Sequence, residues 1–139
     1  MNPSQKFFHH FIMLYRPFEN KLNVELGKHN LHRAQWTILY YLFHYSSATL
    51  VELANYQGVE KPTVTRTMNR LEELGYIQQI PSTDKREKRV ELSKKGVTLY
   101  NKVRLTIDEY EQKILTGISV KEQLEVIRIM QQIRNNIMK

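Results

Sequence analysis

The chain has 139 residues, which fits one domain with a hydrophobic core of its own. It has no cysteine, which excludes disulfides and cysteine nucleophiles, and no apolar run near the roughly 20 residues that span a bilayer. Lysine and arginine outnumber aspartate and glutamate by 21 to 14, and this formal charge of +7 indicates a polyanionic partner such as nucleic acid. Because the first ten residues also lack the layout of a secretion signal, the expected location is the cytoplasm.

The first two predicted elements are amphipathic helices. Asn2 can cap the first helix and Pro3 suits its first turn, and the helix is expected to kink at Pro17 and to end near residues 27–30. Its apolar stripe consists of Phe7, Phe11, Leu14, Phe18, Leu22 and Leu26. A second helix is predicted near residues 33–44, and its buried side would be Trp36, Leu39, Tyr40 and Phe43.

Two further helices are predicted after a short connector at residues 46–48. Thr49 and Glu52 are spaced as a capping box, in which each side chain bonds the other residue's backbone N–H. They predict a short third helix that ends at Gly58. The fourth helix is predicted at about residues 61–74, with a core-facing stripe of Val64, Met68, Leu71 and Leu74.

After Gly75 the periodicity changes to that of strands. Residues 76–81 and 88–92 are rich in Ile, Val and Tyr, and a charged segment separates them, which predicts a β-hairpin. Helical spacing returns at residues 97–114, and Ser119 and Glu122 form a second capping box before the last helix. The fold class is therefore mainly α with a small β-hairpin wing. Its helix-helix-hairpin order is that of a winged helix-turn-helix.

The fourth predicted helix carries a basic surface opposite its apolar stripe. This surface comprises Lys61, Pro62, Thr63, Thr65, Arg66, Asn69 and Arg70, and the segment 61–70 contains no acid. Arg66 is the leading candidate for a base contact because a guanidinium can bond two acceptors of guanine. Thr65 and Asn69 can also reach base edges, whereas Lys61, Thr63 and Arg70 suit the DNA backbone.

The tip of the predicted hairpin adds a second basic cluster. Its candidate DNA-contacting residues are Asp84, Lys85, Arg86, Lys88 and Arg89. A basic β-ribbon can straddle the phosphate backbone and push an arginine into a narrow minor groove. Either cluster alone is typical of a solvated face or a protected sheet edge. Their coincidence favours double-stranded DNA as the partner, since a winged helix presents both elements to one duplex.

Four stretches, at residues 31–39, 49–54, 64–75 and 84–93, resemble the multiple-antibiotic-resistance regulator (MarR) family. They include a Thr-Arg-x-x-x-Arg-Leu-Glu motif at 65–72 and an Asp-x-Arg motif at 84–86. The resemblance covers essentially the whole chain and implies one domain at residues 1–139. Its DNA-binding lobe would span 31–93, and its helical dimerisation region would comprise 1–30 and 94–139.

The same resemblance implies a function. The family pattern is a two-fold homodimer that binds a pseudopalindrome, usually as a repressor, and that a small ligand releases. Thr63, Thr65 and Arg66 would enter the major groove. Asp84 and Arg86 match the signature pair of the wing, and residues 85–89 match the part that approaches the minor groove.

Two features depart from the family pattern. Many members have small hydroxyl residues where this chain has Glu60, which is a weaker helix cap. The absence of cysteine excludes the peroxide and thiol sensing that some members perform through that residue.

A ligand or metal site would have to come from the aromatic and histidine residues. Phe11, Tyr15, Arg16 and Tyr40 are candidates to line a pocket for a small aromatic or acyl ligand, and the competing interpretation is dimer and core packing. The five histidines are His9, His10, His29, His32 and His44. A zinc-responsive regulator of the same fold therefore remains an alternative, although adjacent helical histidines point about 100° apart. We assign no metal ligand and expect no cofactor.

An enzyme and a winged helix with another role are the two alternative classes of protein. No glycine-rich phosphate loop, nucleophile elbow or clustered ligand set appears in the sequence, which argues against an enzyme. The other class is a winged helix that serves protein contact or non-specific DNA architecture. Its affinity for random and palindromic duplexes would distinguish it from a specific repressor, which should favour its operator by about 10³-fold or more.

Overall fold

A computed structural model describes residues 1–81 and 87–139. Its elements are α1 (Pro3–Gly27), α2 (Arg33–Tyr45), β1 (Ser47–Thr49), α3 (Leu50–Gln57), α4 (Lys61–Glu73), β2 (Ile77–Gln79), β3 (Arg89–Leu92), α5 (Lys94–Ile114) and α6 (Val120–Ile137). The order confirms the predicted fold class, mainly helical with a small antiparallel sheet. In the part of the chain that the structure describes, no helix is long and apolar enough to cross a membrane.

The chain divides into two compact units, Met1–Asp108 and Glu109–Lys139. The first unit holds α1 to α4, the sheet and most of α5. The second unit holds the end of α5 and all of α6. The division into a DNA-binding lobe and a dimerisation region stays a prediction.

Local signals explain where the helices begin. The Asn2 side chain accepts a hydrogen bond from Gln5 N, and the Gln5 side chain accepts one from Asn2 N, each at 2.9 Å. Ser119 and Glu122 form the same reciprocal box, as predicted. At Thr49 only half of the predicted box is present, because Thr49 Oγ1 accepts from Glu52 N at 3.2 Å while the Glu52 carboxylate bonds a side chain of β3 instead.

The sheet has three strands in the order β1-β3-β2, and both pairings are antiparallel. The predicted hairpin corresponds to β2 and β3, where Ile77 faces Leu92. The prediction of a plain connector at 46–48 was wrong, because residues 47–49 form the edge strand β1. Ala48 pairs with Val90, and both are fully buried, so burial of this pair against the helices explains the strand.

The core of the first unit forms around α2, between its neighbouring helices and the sheet. Its most completely buried side chains are Tyr100, Leu26, Ile38, Leu39, Leu42, Leu53, Leu71, Ile107, Val64, Val90 and Val103. The predicted stripe of α1 is buried only at its C-terminal end, at Leu22 and Leu26. The expectation that Phe43 is buried was wrong, because it keeps 43% of its surface exposed while stacking on a ring of α5.

Candidate nucleic-acid interface

The packing of α4 decides which of its sides meets solvent. Val64, Met68 and Leu71 are buried against the core, as predicted. Thr65 is half-buried, and the remaining predicted DNA-binding residues of this helix are exposed: Lys61, Pro62, Thr63, Arg66, Asn69 and Arg70. The seven residues therefore share one helix with a solvent-facing polar side. Their contact with DNA stays a prediction.

The side chains on this polar side differ in whether they already make hydrogen bonds or ion pairs within the protein. Thr65 Oγ1 donates to Lys61 O at 2.9 Å, and Arg70 Nη1 donates to Glu73 Oε2 at 3.2 Å. Arg66 makes no side-chain hydrogen bond or ion pair with any other described residue. Its guanidinium therefore keeps its donors for an external acceptor.

The start of α4 lacks a side-chain cap. Glu60 occupies the capping position, and its side chain makes no capping hydrogen bond, which agrees with the expectation that it caps weakly. The Glu60 carbonyl oxygen accepts from Thr63 N at 3.1 Å and from Val64 N at 3.3 Å. A helix N-terminus without a side-chain cap has free backbone N–H groups and the positive end of the helix dipole, and both suit phosphate.

The two described basic residues at the base of the predicted wing both have acidic partners. Lys88 Nζ lies 2.7 Å from Glu72 Oε1 on α4. Arg89 Nη2 donates to Glu52 Oε1 on α3 at 2.9 Å, and Arg89 Nη1 donates to Ser47 Oγ at 3.0 Å. Sequence reasoning assigned both cations to DNA and missed these partners. The other predicted wing residues, Asp84, Lys85 and Arg86, lie outside the described residues.

The candidate ligand residues have different neighbours. The rings of Phe11 and Tyr15 stack with their centroids 6.3 Å apart on α1, where Arg16 is also exposed. Tyr40 on α2 instead contacts His44, at a centroid distance of 4.3 Å, and also Trp36. These ring contacts join Phe11 to Tyr15, and Tyr40 belongs to a separate aromatic group with Trp36 and His44.

Arg33 is a cation near Tyr15 that sequence reasoning missed. Its Nη1 donates to Tyr15 Oη at 2.6 Å and also pairs with the Glu19 carboxylate. The hydrogen bond to Tyr15 is the main reason that the pKa of the Arg33 guanidinium is raised, and Glu19 adds to it against the opposing effect of burial. No sequence spacing points to this contact, since it joins two helices.

The histidines do not gather into a metal site in the described ranges. His29 Nε2 lies 2.7 Å from Thr106 Oγ1, and His44 Nε2 lies 3.3 Å from Tyr100 Oη. Among residues 1–81 and 87–139, no group of three or more His, Asp or Glu could hold a metal ion.

Two helices expose large apolar side chains. On the N-terminal half of α1 these are Phe7, Phe8, Phe11, Ile12, Met13, Leu14 and Tyr15. On α6 they are Val120, Leu124, Val126, Ile127, Met130 and Ile137, and this helix has no buried residue. Large apolar side chains exposed in such numbers on one helix usually mark an interface.

A helix-turn-helix with a small sheet and an exposed basic second helix defines the class as a winged helix-turn-helix DNA-binding protein. The model of the MarR family matches residues 31–88. An uncharacterized HTH-type transcriptional regulator of Staphylococcus aureus (strain Mu50) is 36% identical over 139 residues, which cover 98% of this chain and 95% of that protein. The chain belongs to the MarR family of transcriptional regulators.

Other relatives and solved structures agree with this assignment. The uncharacterized HTH-type transcriptional regulator YwoH of Bacillus subtilis is 38% identical over 100 residues, 72% of this chain and 73% of that protein. The structure of Staphylococcus aureus MarR in complex with salicylate and kanamycin has a TM-score of 0.87 and 36% identity, covering 97% of this chain and 92% of that one. A mutant E. coli MarR complexed with operator DNA shares the fold, with a TM-score of 0.78, 21% identity and coverage of 95% and 94%.

Proposed function

We propose that the protein is a homodimeric, sequence-specific repressor of a pseudopalindromic operator, and that a small ligand releases it. The observation that carries this proposal is the solvent-facing side of α4. It is basic and free of acids from Lys61 to Arg70, and Arg66 has no partner among the described residues. The DNA-binding regulators of the same family support the same conclusion.

The proposed contacts follow from the chemistry of each side chain. Arg66 reads a guanine in the major groove, while Thr65 and Asn69 contact neighbouring base edges. Lys61, Thr63 and Arg70 bind phosphates and set the register of the helix on the duplex. In the wing, Asp84, Lys85 and Arg86 stay candidates for the approach to the minor groove.

The proposed homodimer is supported by the exposed apolar faces of α1 and α6. A chain that leaves side chains such as Phe11, Leu14 and Leu124 in water has apolar area that a second copy would cover. Two copies related by a two-fold axis would place their α4 helices in major grooves about one helical turn apart. This geometry matches a pseudopalindromic site.

The proposed ligand is a small aromatic or acyl compound. The support is that the 36% identical Staphylococcus aureus MarR was solved with salicylate and kanamycin. Phe11, Tyr15, Arg16 and Tyr40 stay the candidate residues, and Arg33 joins them because its guanidinium contacts Tyr15. The rings suit the aromatic part of such a ligand, and the exposed Arg16 can pair with its carboxylate, since Arg33 already pairs with Glu19.

The test is selection of bound duplexes from a random pool, followed by titration of the selected duplex and of a shuffled duplex. A specific regulator should prefer the selected site by about 10³-fold or more at physiological salt. Selection should also return an inverted repeat, as a dimer requires. Equal affinity for both duplexes would instead identify a non-specific architectural protein and contradict the proposal.

A further inference from the structure

Two ion pairs tie the beginning of β3 to the helix-turn-helix. Lys88, directly before the strand, pairs with Glu72 on α4 at 2.7 Å. Arg89, the first residue of the strand, pairs with Glu52 on α3 at 2.9 Å and also bonds Ser47 on β1. Two consecutive residues are thus held by two different helices.

The surroundings of Glu72 make its pair with Lys88 hard to give up. Glu72 Oε1 is shielded from solvent, and no described group meets it with hydrogen-bond geometry. The ammonium group of Lys88, 2.7 Å away, is the counter-charge that offsets the burial of this oxygen. If Lys88 moved to a phosphate, a shielded carboxylate oxygen would lose its partner, which is more costly than breaking an exposed pair.

Arg89 bonds more structural elements than Lys88 does, although the Arg89–Glu52 pair is more exposed than the Lys88–Glu72 pair. Its guanidinium uses Nη2 for Glu52 and Nη1 for Ser47, so one side chain joins α3, β1 and β3. Glu52 is available for this contact because it does not complete the capping box at Thr49. The Glu52 carboxylate therefore bonds the first residue of β3 instead of capping its own helix.

We propose that Glu52 and Glu72 are positioning residues for the wing. They hold the start of β3 against α3 and α4, so that the wing approaches DNA in a fixed relation to the base-reading side of α4. Lys88 and Arg89 act through these two acids instead of binding phosphates. This inference rests on the proposed function, since it concerns how the same DNA-binding surface is assembled.

The direction in which DNA affinity changes on replacing Glu52 or Glu72 distinguishes a positioning role from a purely electrostatic one. A carboxylate near DNA repels phosphates, so its replacement by the neutral amide should by charge alone tighten binding. A positioning role predicts the reverse, because the wing loses its anchor. Glu73 is the matched control, since it is also an acid of α4, and within residues 1–81 and 87–139 its one ion pair is with Arg70 of the same helix.

The experiment measures affinity for the selected operator and for its shuffled duplex with wild type, E52Q, E72Q, K88Q and the exchange variant E72K/K88E. We expect E52Q, E72Q and K88Q to weaken operator binding roughly three- to tenfold, the size of a pairwise coupling. The exchange keeps the net charge and re-forms the pair with opposite polarity. It should recover affinity to within about threefold of wild type. E73Q should bind as tightly as wild type or more tightly.

A second readout separates loss of wing position from general loss of structure. Hydroxyl-radical cleavage reports the minor groove, and methylation of guanine reports the major groove. In E72Q, protection should fall in the minor groove and persist in the major groove, at a temperature well below the melting temperature of the variant. Equal loss in both grooves would assign Glu72 a merely structural role.

The remaining outcomes overturn one proposal or the other. If E52Q and E72Q bind as tightly as wild type, or more tightly, the positioning role is wrong. An exchange variant that stays as weak as K88Q would show that Lys88 contacts phosphate directly, which also contradicts the inference. Failure of wild type to prefer the operator over the shuffled duplex would instead refute the proposed function.

Discussion

The indole ring of Trp36 on α2 lies flat against the ring of Tyr100 on α5, with centroids 5.1 Å apart and an interplanar angle of 6°. Phe43 stacks on the same tyrosine ring at 4.0 Å, and the Tyr100 hydroxyl lies 3.3 Å from His44 Nε2. Only 2% of the surface of Tyr100 is exposed. This ring is therefore a principal link between α2 and α5, and its ionisation should matter to stability.

We expect Tyr100 to make the protein sensitive to alkali. Burial raises the pKa of the Tyr100 phenol above its unfolded value, which is about 10. A raised acid pKa contributes stability that is present below about pH 10 and is lost as pH rises through the folded pKa. Urea unfolding between about pH 8 and pH 11 should show a shallower alkaline loss of unfolding free energy in Tyr100→Phe than in wild type. Tyr45→Phe, at an exposed position, is the control, and equal pH slopes in wild type and Tyr100→Phe would contradict the prediction.

Gly96 should tolerate no larger residue. A Cβ atom at this position would lie 2.0 Å from the backbone oxygen of Tyr76, so α5 would have to move away from the chain that leads into β2. Gly96→Ala should lower the free energy of unfolding by roughly 2–3 kcal/mol, a typical cost of overpacking. Gly27→Ala is the control, because nothing lies within 4 Å of its added Cβ, and it should be neutral or stabilising by up to about 1 kcal/mol. Chemical denaturation of the two variants distinguishes a steric effect from a general effect of glycine replacement.

Arg66→Ala should weaken operator binding and relax its sequence preference. The loss should be about 1–3 kcal/mol, because a bidentate contact to guanine disappears. Titration of the selected duplex and of its single-base variants measures both effects. Lys21→Ala removes one positive charge from an exposed position of α1, and it should leave the base preference unchanged. Unaltered discrimination in Arg66→Ala would show that another residue reads the base.

Ile127→Asp should impair self-association. Ile127 belongs to the exposed apolar set of α6, and a carboxylate there would have to be buried in the proposed dimer without a partner. Sedimentation equilibrium should show a dimer that dissociates at higher concentration than wild type. Gln132→Asp is the control on the same helix, since five residues at about 100° each place it roughly 140° away from Ile127. If the dimers of the two variants had the same dissociation constant, Ile127 would have no special role in the dimer, and the interface would lie elsewhere.

Elements that depend on a few neighbouring residues were predictable from the sequence. The predicted cap at Asn2 and the predicted capping box at Ser119 depend on residues within one turn, and both helix starts agree with the local pattern. The burial of Val64, Met68 and Leu71 also followed from helical spacing alone. This spacing fixed which side of α4 faces the core and so indicated which of its residues face solvent.

Contacts between distant residues were not predictable in the same way. The edge strand β1 forms because Ala48 pairs with Val90 on the neighbouring strand. Glu52 resembles half of a capping box, yet its carboxylate bonds Arg89, 37 positions away. Local chemistry permits both arrangements for Glu52, and only the approach of β3 to α3 selects between them.

The amino-acid sequence by itself determined the family, the order of helices and hairpin, and the polar side of α4, because these depend on short-range spacing and on motifs. Only the tertiary structure decided which charges are already neutralised within the protein. Lys88 and Arg66 are both cations of the predicted DNA-binding surface, but Lys88 meets Glu72 whereas Arg66 meets no acid in the described ranges. The physical reason is that an ion pair depends on the distance between groups in space, which the separation of residues along a chain does not specify.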